Sequence, residues 1–169
     1  MSWEALGAVG ELVGVAGVIL TLVYLAHQIR QNTRAIRAQT HQAITSANLG
    51  MAMGLAESEG LAGVLVRGLA DFDSLDPADR LRTVGWFNSF LKFGENTHYQ
   101  FLQGSLERSV WEGWMVILEN WVTQPGPRKY WAERRDAFQP AFRELVDGMF
   151  SEGPKPLLGL SPENEESEV

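Results

Sequence analysis

The chain has no cysteine among its 169 residues, which excludes both a disulfide framework and a thiolate metal site. Acidic residues outnumber lysine and arginine by 21 to 14, and the formal net charge is −7 at pH 7. Nucleic acid is therefore not the expected main partner, because a phosphate backbone is bound by a basic face. The sequence also lacks the G-x-S-x-G, G-x-G-x-x-G and P-loop patterns, so no motif supports an enzymatic activity.

One long apolar run stands near the N-terminus. Residues 12–26 carry no charge, and extension back to residue 5 gives a run interrupted only by Glu11. Its length of about 22 residues exceeds the roughly 20 that a helix needs to cross a bilayer. Glu11 either reaches the interface near the outer end of the run or is a protonatable group in an oligomer interface. The run predicts a transmembrane helix over residues 1–26.

Aromatic residues lie near the two ends of this run. Trp3 and Tyr24 would lie about 31 Å apart on a helix, which matches one ring at each membrane interface. A secretory signal is not indicated, because no basic residue precedes the run and no small-x-small cleavage site follows it before the arginines.

Four glycines lie within the apolar run, at Gly7, Gly10, Gly14 and Gly17. In a soluble helix each glycine costs roughly 0.5 to 1 kcal/mol relative to alanine. In a membrane the same spacing places all four on one helical face, and Gly10 with Gly14 forms a GxxxG pair that lets two backbones approach closely. The pattern favours a span that forms a homo-oligomer through these glycines. The alternative is a buried helix of a soluble bundle.

The run is followed by a basic segment, in which Arg30, Arg34 and Arg37 occur without any acidic residue between positions 27 and 47. The positive-inside rule places such a segment in the cytoplasm and the short N-terminus outside. The three arginines are then expected at the membrane surface, where they would contact anionic lipid headgroups.

Three segments of the chain are typical of a known group of proteins: VYLAHQIRQNTRAIRAQT and, later, FGENTHYQ and PGPRKYWAERR. With the apolar run before them, they resemble a group of uncharacterised short bacterial proteins that have an N-terminal apolar helix followed by a QIRQNTRAIRA-like segment. The resemblance covers most of the chain up to about residue 150 and includes no catalytic motif. It implies the same layout in the bacterial inner membrane and no particular function.

The remaining pattern is helical, with no convincing alternating strand. No proline precedes Pro77, so the first helix is expected to continue unbroken into the cytoplasm, weakened near Gly50 and Gly54. A spacing of three and four residues supports this continuation, with Thr33 and Thr40 filling the gaps between the apolar residues Ile29, Ile36, Ile44, Ala47, Met51 and Leu55. Turn signals predict further helices at about 61–70, 77–102, 106–122 and from Pro127 to 150, the last one kinked or broken at Pro140.

This reading predicts an all-α fold: a transmembrane helix over 1–26, a cytoplasmic helical bundle over 27–150 and a disordered acidic tail over 151–169. Asp76 is expected to cap the helix that opens with Pro77. Two aromatic-rich helical faces are expected to pack together, the alternatives being an apolar ligand pocket or contact with the membrane surface. These faces comprise Trp86, Phe87, Phe90 and Phe93, and then Trp111, Trp114, Leu118 and Trp121.

A single pattern hints at chemistry. Glu95 and His98 form an E-x-x-H pair, the spacing by which helices of di-metal bundles present two ligands, and Glu112 on the next helix is a third candidate ligand. No second E-x-x-H exists, so a hydrogen-bonded polar pair in the bundle is the competing interpretation. Otherwise no cofactor is expected.

Two functions follow from these patterns. The first is a self-associating membrane protein whose cytoplasmic bundle is a scaffold or a partner-binding module. The second is a membrane-tethered enzyme or sensor that binds a metal or small ligand through Glu95 and His98.

Overall fold

The computed structural model describes residues 3–151 with Gly153, Lys155 and Leu157, except the side chains of residues 4–6, 8 and 9. This described part consists of six α-helices and one short 3-10 helix, with no strand. The predicted all-α fold is confirmed. Most of the predicted acidic tail, 151–169, lies outside the described residues.

The first helix, α1, runs from Trp3 to Glu57 without interruption. The predicted long helix is therefore confirmed, and neither Gly50 nor Gly54 breaks it. The chain divides into two compact units, Met1–Thr40 and His41–Val169, and the boundary between them falls inside α1.

In the first unit, every described side chain from residue 10 to residue 39 is exposed. In the second unit, the end of α1 joins the core. Ile44, Met51 and Leu55 are half-buried against it. Ile29 and Ile36 are exposed, so the apolar spacing predicted along α1 has a packing role only in its last part.

Five further α-helices follow among the described residues of the second unit. They are α2 (Leu61–Ala70), α3 (Pro77–Leu102), α4 (Arg108–Val122), α5 (Pro125–Arg134) and α6 (Pro140–Met149), with the 3-10 helix Arg135–Ala137 before α6. Helix α2 packs against α3 and α5, α3 against α4 and α5, and α4 against α5 and α6. The predicted bounds agree closely, except that α5 begins two residues before Pro127 and α4 two residues after position 106.

Prolines set the starts of three helices because the first helical position needs no backbone N–H donor. At α3, the Asp76 carboxylate accepts hydrogen bonds from the backbone N–H groups of Ala78 and Asp79, both at 2.9 Å, which confirms the predicted cap. Pro140 ends the preceding segment and opens α6 after the 3-10 turn, so it breaks the helical pattern instead of kinking one helix.

Aromatic rings join α3 to α4, as the two predicted faces require. The ring centroids of Phe93 and Trp114 lie 4.7 Å apart in an edge-on arrangement, and those of Trp86 and Trp121 lie 4.6 Å apart. Such contacts combine large buried areas with favourable ring electrostatics. The centre of the core also contains deeply buried apolar side chains, among them Leu65, Phe87, Leu118, Phe142 and Val146.

Helices α2 and α5 meet backbone to backbone at two glycines. A Cβ atom built on Gly126 would lie 1.8 Å from the carbonyl oxygen of Gly68, far inside van der Waals contact. One built on Gly68 would lie 2.8 Å from the Thr83 methyl carbon. The absence of a side chain at Gly126 permits the close approach of α5 to α2, and its absence at Gly68 leaves room for Thr83 of α3.

We expect Gly126→Ala to lower the free energy of unfolding by about 2 to 3 kcal/mol, because the new methyl group must push α2 and α5 apart. Thermal unfolding of the full chain in detergent, followed by tryptophan fluorescence, measures this change.

Gly113→Ala is the matched control, because it lies in α4 and its added Cβ would meet no atom within 4 Å. Alanine there should raise stability by about 0.5 to 1 kcal/mol through helix propensity. Equal melting of Gly126→Ala and the original chain would contradict the close contact.

Candidate functional site

The apolar segment of α1 is a candidate membrane span. The helix contains a long, strongly apolar stretch near the N-terminus, and none of that stretch is buried in the described structure. Its side chains are exposed, with Leu12 and Leu20 each 70% accessible. A core helix of a soluble bundle would be mostly buried, so the exposure argues against the alternative considered from the sequence. By length and composition, α1 can cross a bilayer.

The Thr21 hydroxyl in this segment is satisfied within the helix. Thr21 donates its Oγ1 hydrogen to the carbonyl oxygen of Gly17 at 2.8 Å. Hydrocarbon offers no hydrogen-bond partners, so a polar side chain is tolerated there when the helix itself supplies the acceptor. The segment therefore presents an almost wholly apolar surface.

The four glycines of the apolar segment have open space beside them, as Gly85, Gly113 and Gly148 of the bundle do. A Cβ atom at Gly7, Gly10, Gly14 or Gly17 would meet no atom within 4 Å in the part of the chain that the structure describes. No contact within that part requires glycine at these positions, in contrast to Gly126.

The three arginines predicted at the membrane surface also lie on α1. Arg30, Arg34 and Arg37 are exposed and follow the apolar segment at spacings of four and three residues. This spacing places them on one side of the helix. Nearby, the Thr33 hydroxyl donates to the carbonyl oxygen of Ile29 at 2.9 Å, so this polar side chain is also satisfied inside the helix.

Glu95 connects α3 to the start of α6. Its side chain is 10% exposed, and one oxygen, Oε2, accepts a hydrogen bond from Lys92 Nζ at 2.8 Å. The other oxygen, Oε1, accepts one from the backbone N–H of Gln139, the residue that precedes α6. Lys92 Nζ also donates to the carbonyl oxygen of Ala137 at 2.7 Å. These hydrogen bonds give the buried carboxylate a structural role.

His98 lies between aromatic rings. Its ring centroid is 5.1 Å from that of Trp111 in a stacked arrangement and 6.1 Å from that of Phe142. Burial lowers the pKa of His98 below its ordinary value of 6.5, because a protonated imidazole loses solvation there. The neutral ring is thus the form that this environment favours.

Glu112, the third predicted ligand, is 62% exposed and lies 3.7 Å from Arg108, one turn earlier on α4. Glu119, on the same helix, pairs with Lys155 at 2.7 Å. Among the residues that the structure describes, no three histidine, aspartate or glutamate side chains form a group that could hold a metal ion. A metal site at Glu95, His98 and Glu112 stays a prediction, with no support from this geometry.

The sequence patterns did not indicate the two hydrogen-bond donors to the Glu95 carboxylate. Gln139 is 44 residues away in the chain and contributes a backbone N–H, which no residue pattern reports. Lys92 gave a weak signal, since a lysine three residues before a glutamate on a helix is a common ion pair.

No family, no curated protein and no solved structure matches the chain. The resemblance to uncharacterised short bacterial proteins therefore stays a prediction.

We expect His98 to make stability depend on pH. Below about pH 6.5 the unfolded chain takes up a proton that folded His98 resists, so stability falls as the pH falls from 6.5 towards the lowered pKa. Above pH 6.5 this residue contributes no further pH dependence. The midpoint of thermal unfolding, measured from pH 7.5 to 5.5, should therefore decrease more in the original chain than in His98→Gln.

His41→Gln is the control, because His41 is exposed on α1. This variant should keep the pH dependence of the original chain. The same slope in all three proteins would show that His98 is not the responsible group.

Proposed function

We propose that the protein is a single-pass protein of the bacterial inner membrane that self-associates through α1 and displays its helical bundle in the cytoplasm. The bundle then acts as a scaffold or a partner-binding module. One observation carries the proposal: the apolar segment of α1 is exposed along its described length. In water this exposure would be unfavourable by roughly 1.5 to 3 kcal/mol for each large side chain, and lipid removes that cost.

The orientation rests on the basic segment. Arg30, Arg34 and Arg37 are exposed and directly follow the apolar segment, which carries no basic residue. The positive-inside rule assigns this end to the cytoplasm and the N-terminus to the outside. At the membrane surface each arginine gains about 1 kcal/mol from anionic headgroups.

Self-association rests on the glycines. Gly7, Gly10, Gly14 and Gly17 leave a flat face on α1, and no contact within the described chain accounts for them. In a bilayer, helices associate by close van der Waals packing at small residues. A second copy of α1 would supply the atoms that meet this face.

A membrane-tethered enzyme or sensor at Glu95 and His98 is the weaker alternative. The Glu95 oxygens accept hydrogen bonds from Lys92 and Gln139, and the His98 ring stacks on Trp111. These contacts give Glu95 and His98 a structural role in the bundle. No observation on the chain favours a ligand bound by them.

Membrane insertion is tested by placing charge in the span. We expect Val15→Arg/Ile19→Arg to release the full chain from alkaline-washed membranes, because each arginine opposes insertion by about 2.5 to 3.5 kcal/mol. Fractionation with immunoblotting measures the retained protein.

Ala43→Arg/Ala47→Arg is the matched control, with the same spacing at exposed positions of α1 beyond the span. It should stay in the membrane until detergent is added. Release of the original chain without detergent would contradict the proposal.

The glycine face is tested by filling it. We expect Gly10→Leu and Gly14→Leu each to shift the full chain from oligomer to monomer in detergent, because the leucine side chain separates the two backbones. Analytical ultracentrifugation at matched detergent density measures the mass.

Ala16→Leu adds a similar volume on the opposite side of α1 and should leave the oligomer intact. Equal masses for all variants would reject association through the glycines while leaving membrane insertion untouched.

A further inference from the structure

A short segment that follows α6 lies against the bundle. Of residues 153–157 the structure describes Gly153, Lys155 and Leu157, and all three are half-buried. The Leu157 side chain packs against the apolar core. Gly153 has a φ of +80°, in the left-handed region that glycine adopts without a steric penalty. This conformation is typical of a chain that turns just after a helix, and α6 ends at Met149.

The end of α4 contacts each polar group of Lys155. Its backbone N–H donates a hydrogen bond to Thr123 Oγ1 at 3.2 Å, and its carbonyl oxygen accepts one from Gln124 Nε2 at 2.7 Å. Its Nζ atom pairs with Glu119 Oε1 at 2.7 Å. We call Glu119, Thr123 and Gln124 the α4 site. This site therefore contacts both the backbone and the side chain of one residue.

The α4 site is held in place by α4 itself. The Thr123 hydroxyl donates to the Glu119 carbonyl oxygen at 2.7 Å, and Gln124 Nε2 also donates to the Asn120 carbonyl oxygen at 2.8 Å. Neither of these hydrogen bonds involves residues 153–157, so the site does not need that segment in order to form. A site that is ordered before binding loses little conformational freedom when a ligand enters.

The sequence of the segment favours an extended backbone. Prolines stand at positions 154 and 156, on both sides of Lys155. A proline ring fixes its own φ, and the residue before a proline is restricted to extended conformations. Proline has no backbone N–H, so the N–H that Thr123 accepts is the only one within residues 154–156. Main-chain hydrogen bonds combined with separate side-chain contacts are a recurring mode of extended-peptide recognition.

The side-chain contacts restrict which extended segments fit. The ion pair of Glu119 with Lys155 is half-buried, with side-chain exposures of 24% and 35%. An acidic residue in place of this lysine would face the Glu119 carboxylate, and such like-charge contacts exclude wrong partners. Two residues later, Leu157 contributes an apolar contact with the core. The contacts thus select a lysine that is followed two residues later by an apolar side chain.

We propose that the α4 site binds an extended segment of a partner protein in which leucine follows lysine by two residues, and that residues 155–157 of the same chain occupy the site until such a partner displaces them. This inference rests on the partner-binding role proposed above for the bundle and names its binding site. It does not depend on membrane insertion or on association through the glycines of α1.

Occupation by the same chain makes the site selective. A tethered segment competes at an effective concentration in the millimolar range, so a free segment of equal affinity rarely enters. A partner displaces residues 155–157 only when it binds more tightly or makes further contacts with the bundle. The bundle is therefore closed to weak ligands while the segment is bound.

The test supplies the segment as a separate peptide. The full chain carrying Lys155→Glu/Leu157→Asp is purified in detergent and titrated into fluorescein-labelled GPKPLLGL, which has the sequence of residues 153–160. The new carboxylate at 155 is repelled by Glu119, and the one at 157 removes the apolar contact, so the site of this open variant is free. We expect saturable binding by fluorescence anisotropy, about tenfold tighter than to the original chain.

Reversing the charge of the site tests its recognition of lysine. In the open variant, Glu119→Lys should weaken the binding of GPKPLLGL about tenfold and strengthen that of GPEPLLGL, in which glutamate replaces the lysine. Both peptides share every apolar residue, so partition into detergent does not distinguish them. Glu112→Lys is the matched control, since Glu112 lies two turns earlier on α4, is 62% exposed and pairs with Arg108. It should leave both affinities unchanged.

Milder substitutions keep the test valid if the charged variants do not fold. Lys155→Ala/Leu157→Ala removes the same two contacts without adding charge and should bind GPKPLLGL as the first open variant does. Glu119→Gln, combined with it, should bind the two peptides with equal affinity. Near-ultraviolet circular dichroism, compared with that of the original chain, shows whether the aromatic core of each variant is retained.

Each of four results would overturn the proposal. The first is no saturable binding of GPKPLLGL to a folded open variant, and the second is equal affinity for the open and original chains. The third is an unchanged preference for the lysine peptide in Glu119→Lys. The fourth is tighter peptide binding when the original chain is diluted, which would assign the bound segment to a second copy. None of these results bears on membrane insertion or on the oligomer mass, which are measured separately.

Discussion

The apolar side chains of α1 between Leu12 and Leu25 are exposed, and the layout proposed for this protein depends on that constraint. A surface of this kind is unfavourable in water, and it extends for about the thickness of a bilayer. Within the segment the Thr21 hydroxyl is satisfied by the helix itself. Lipid is therefore the environment that fits the segment best, and the arginines beyond it determine the proposed orientation.

The bundle is stabilised differently from the span. Aromatic rings between α3 and α4, the direct backbone contact of Gly126 with Gly68, and the Glu95 carboxylate below α6 hold its helices together. Each of these features depends on close packing, which permits few alternative side chains. At Gly7, Gly10, Gly14 and Gly17, in contrast to Gly68 and Gly126, no atom of the described chain lies within 4 Å of a built Cβ.

The end of α1 has a distinct part in this arrangement. Ile44, Met51 and Leu55 reach the core, yet cavities remain beside them at Trp114 and Trp86. A polar donor that is buried without an acceptor is rare in a folded protein. The Nε1 atoms of Trp86 and Trp114 are covered by the packing of the bundle, and no described residue accepts a hydrogen bond from either.

The sequence by itself determined the helices. Apolar spacing, the Asp76 cap, the prolines and the uncharged run act through neighbours a few residues apart, so their effects are readable from the chain. Tertiary structure alone decided that contact requires glycine at position 126, that Glu95 accepts a hydrogen bond from a residue 44 positions away, and that no described residue accepts one from Trp114 Nε1. The physical reason is that these properties depend on atoms brought together from distant parts of the chain, and a local pattern does not report which atoms meet.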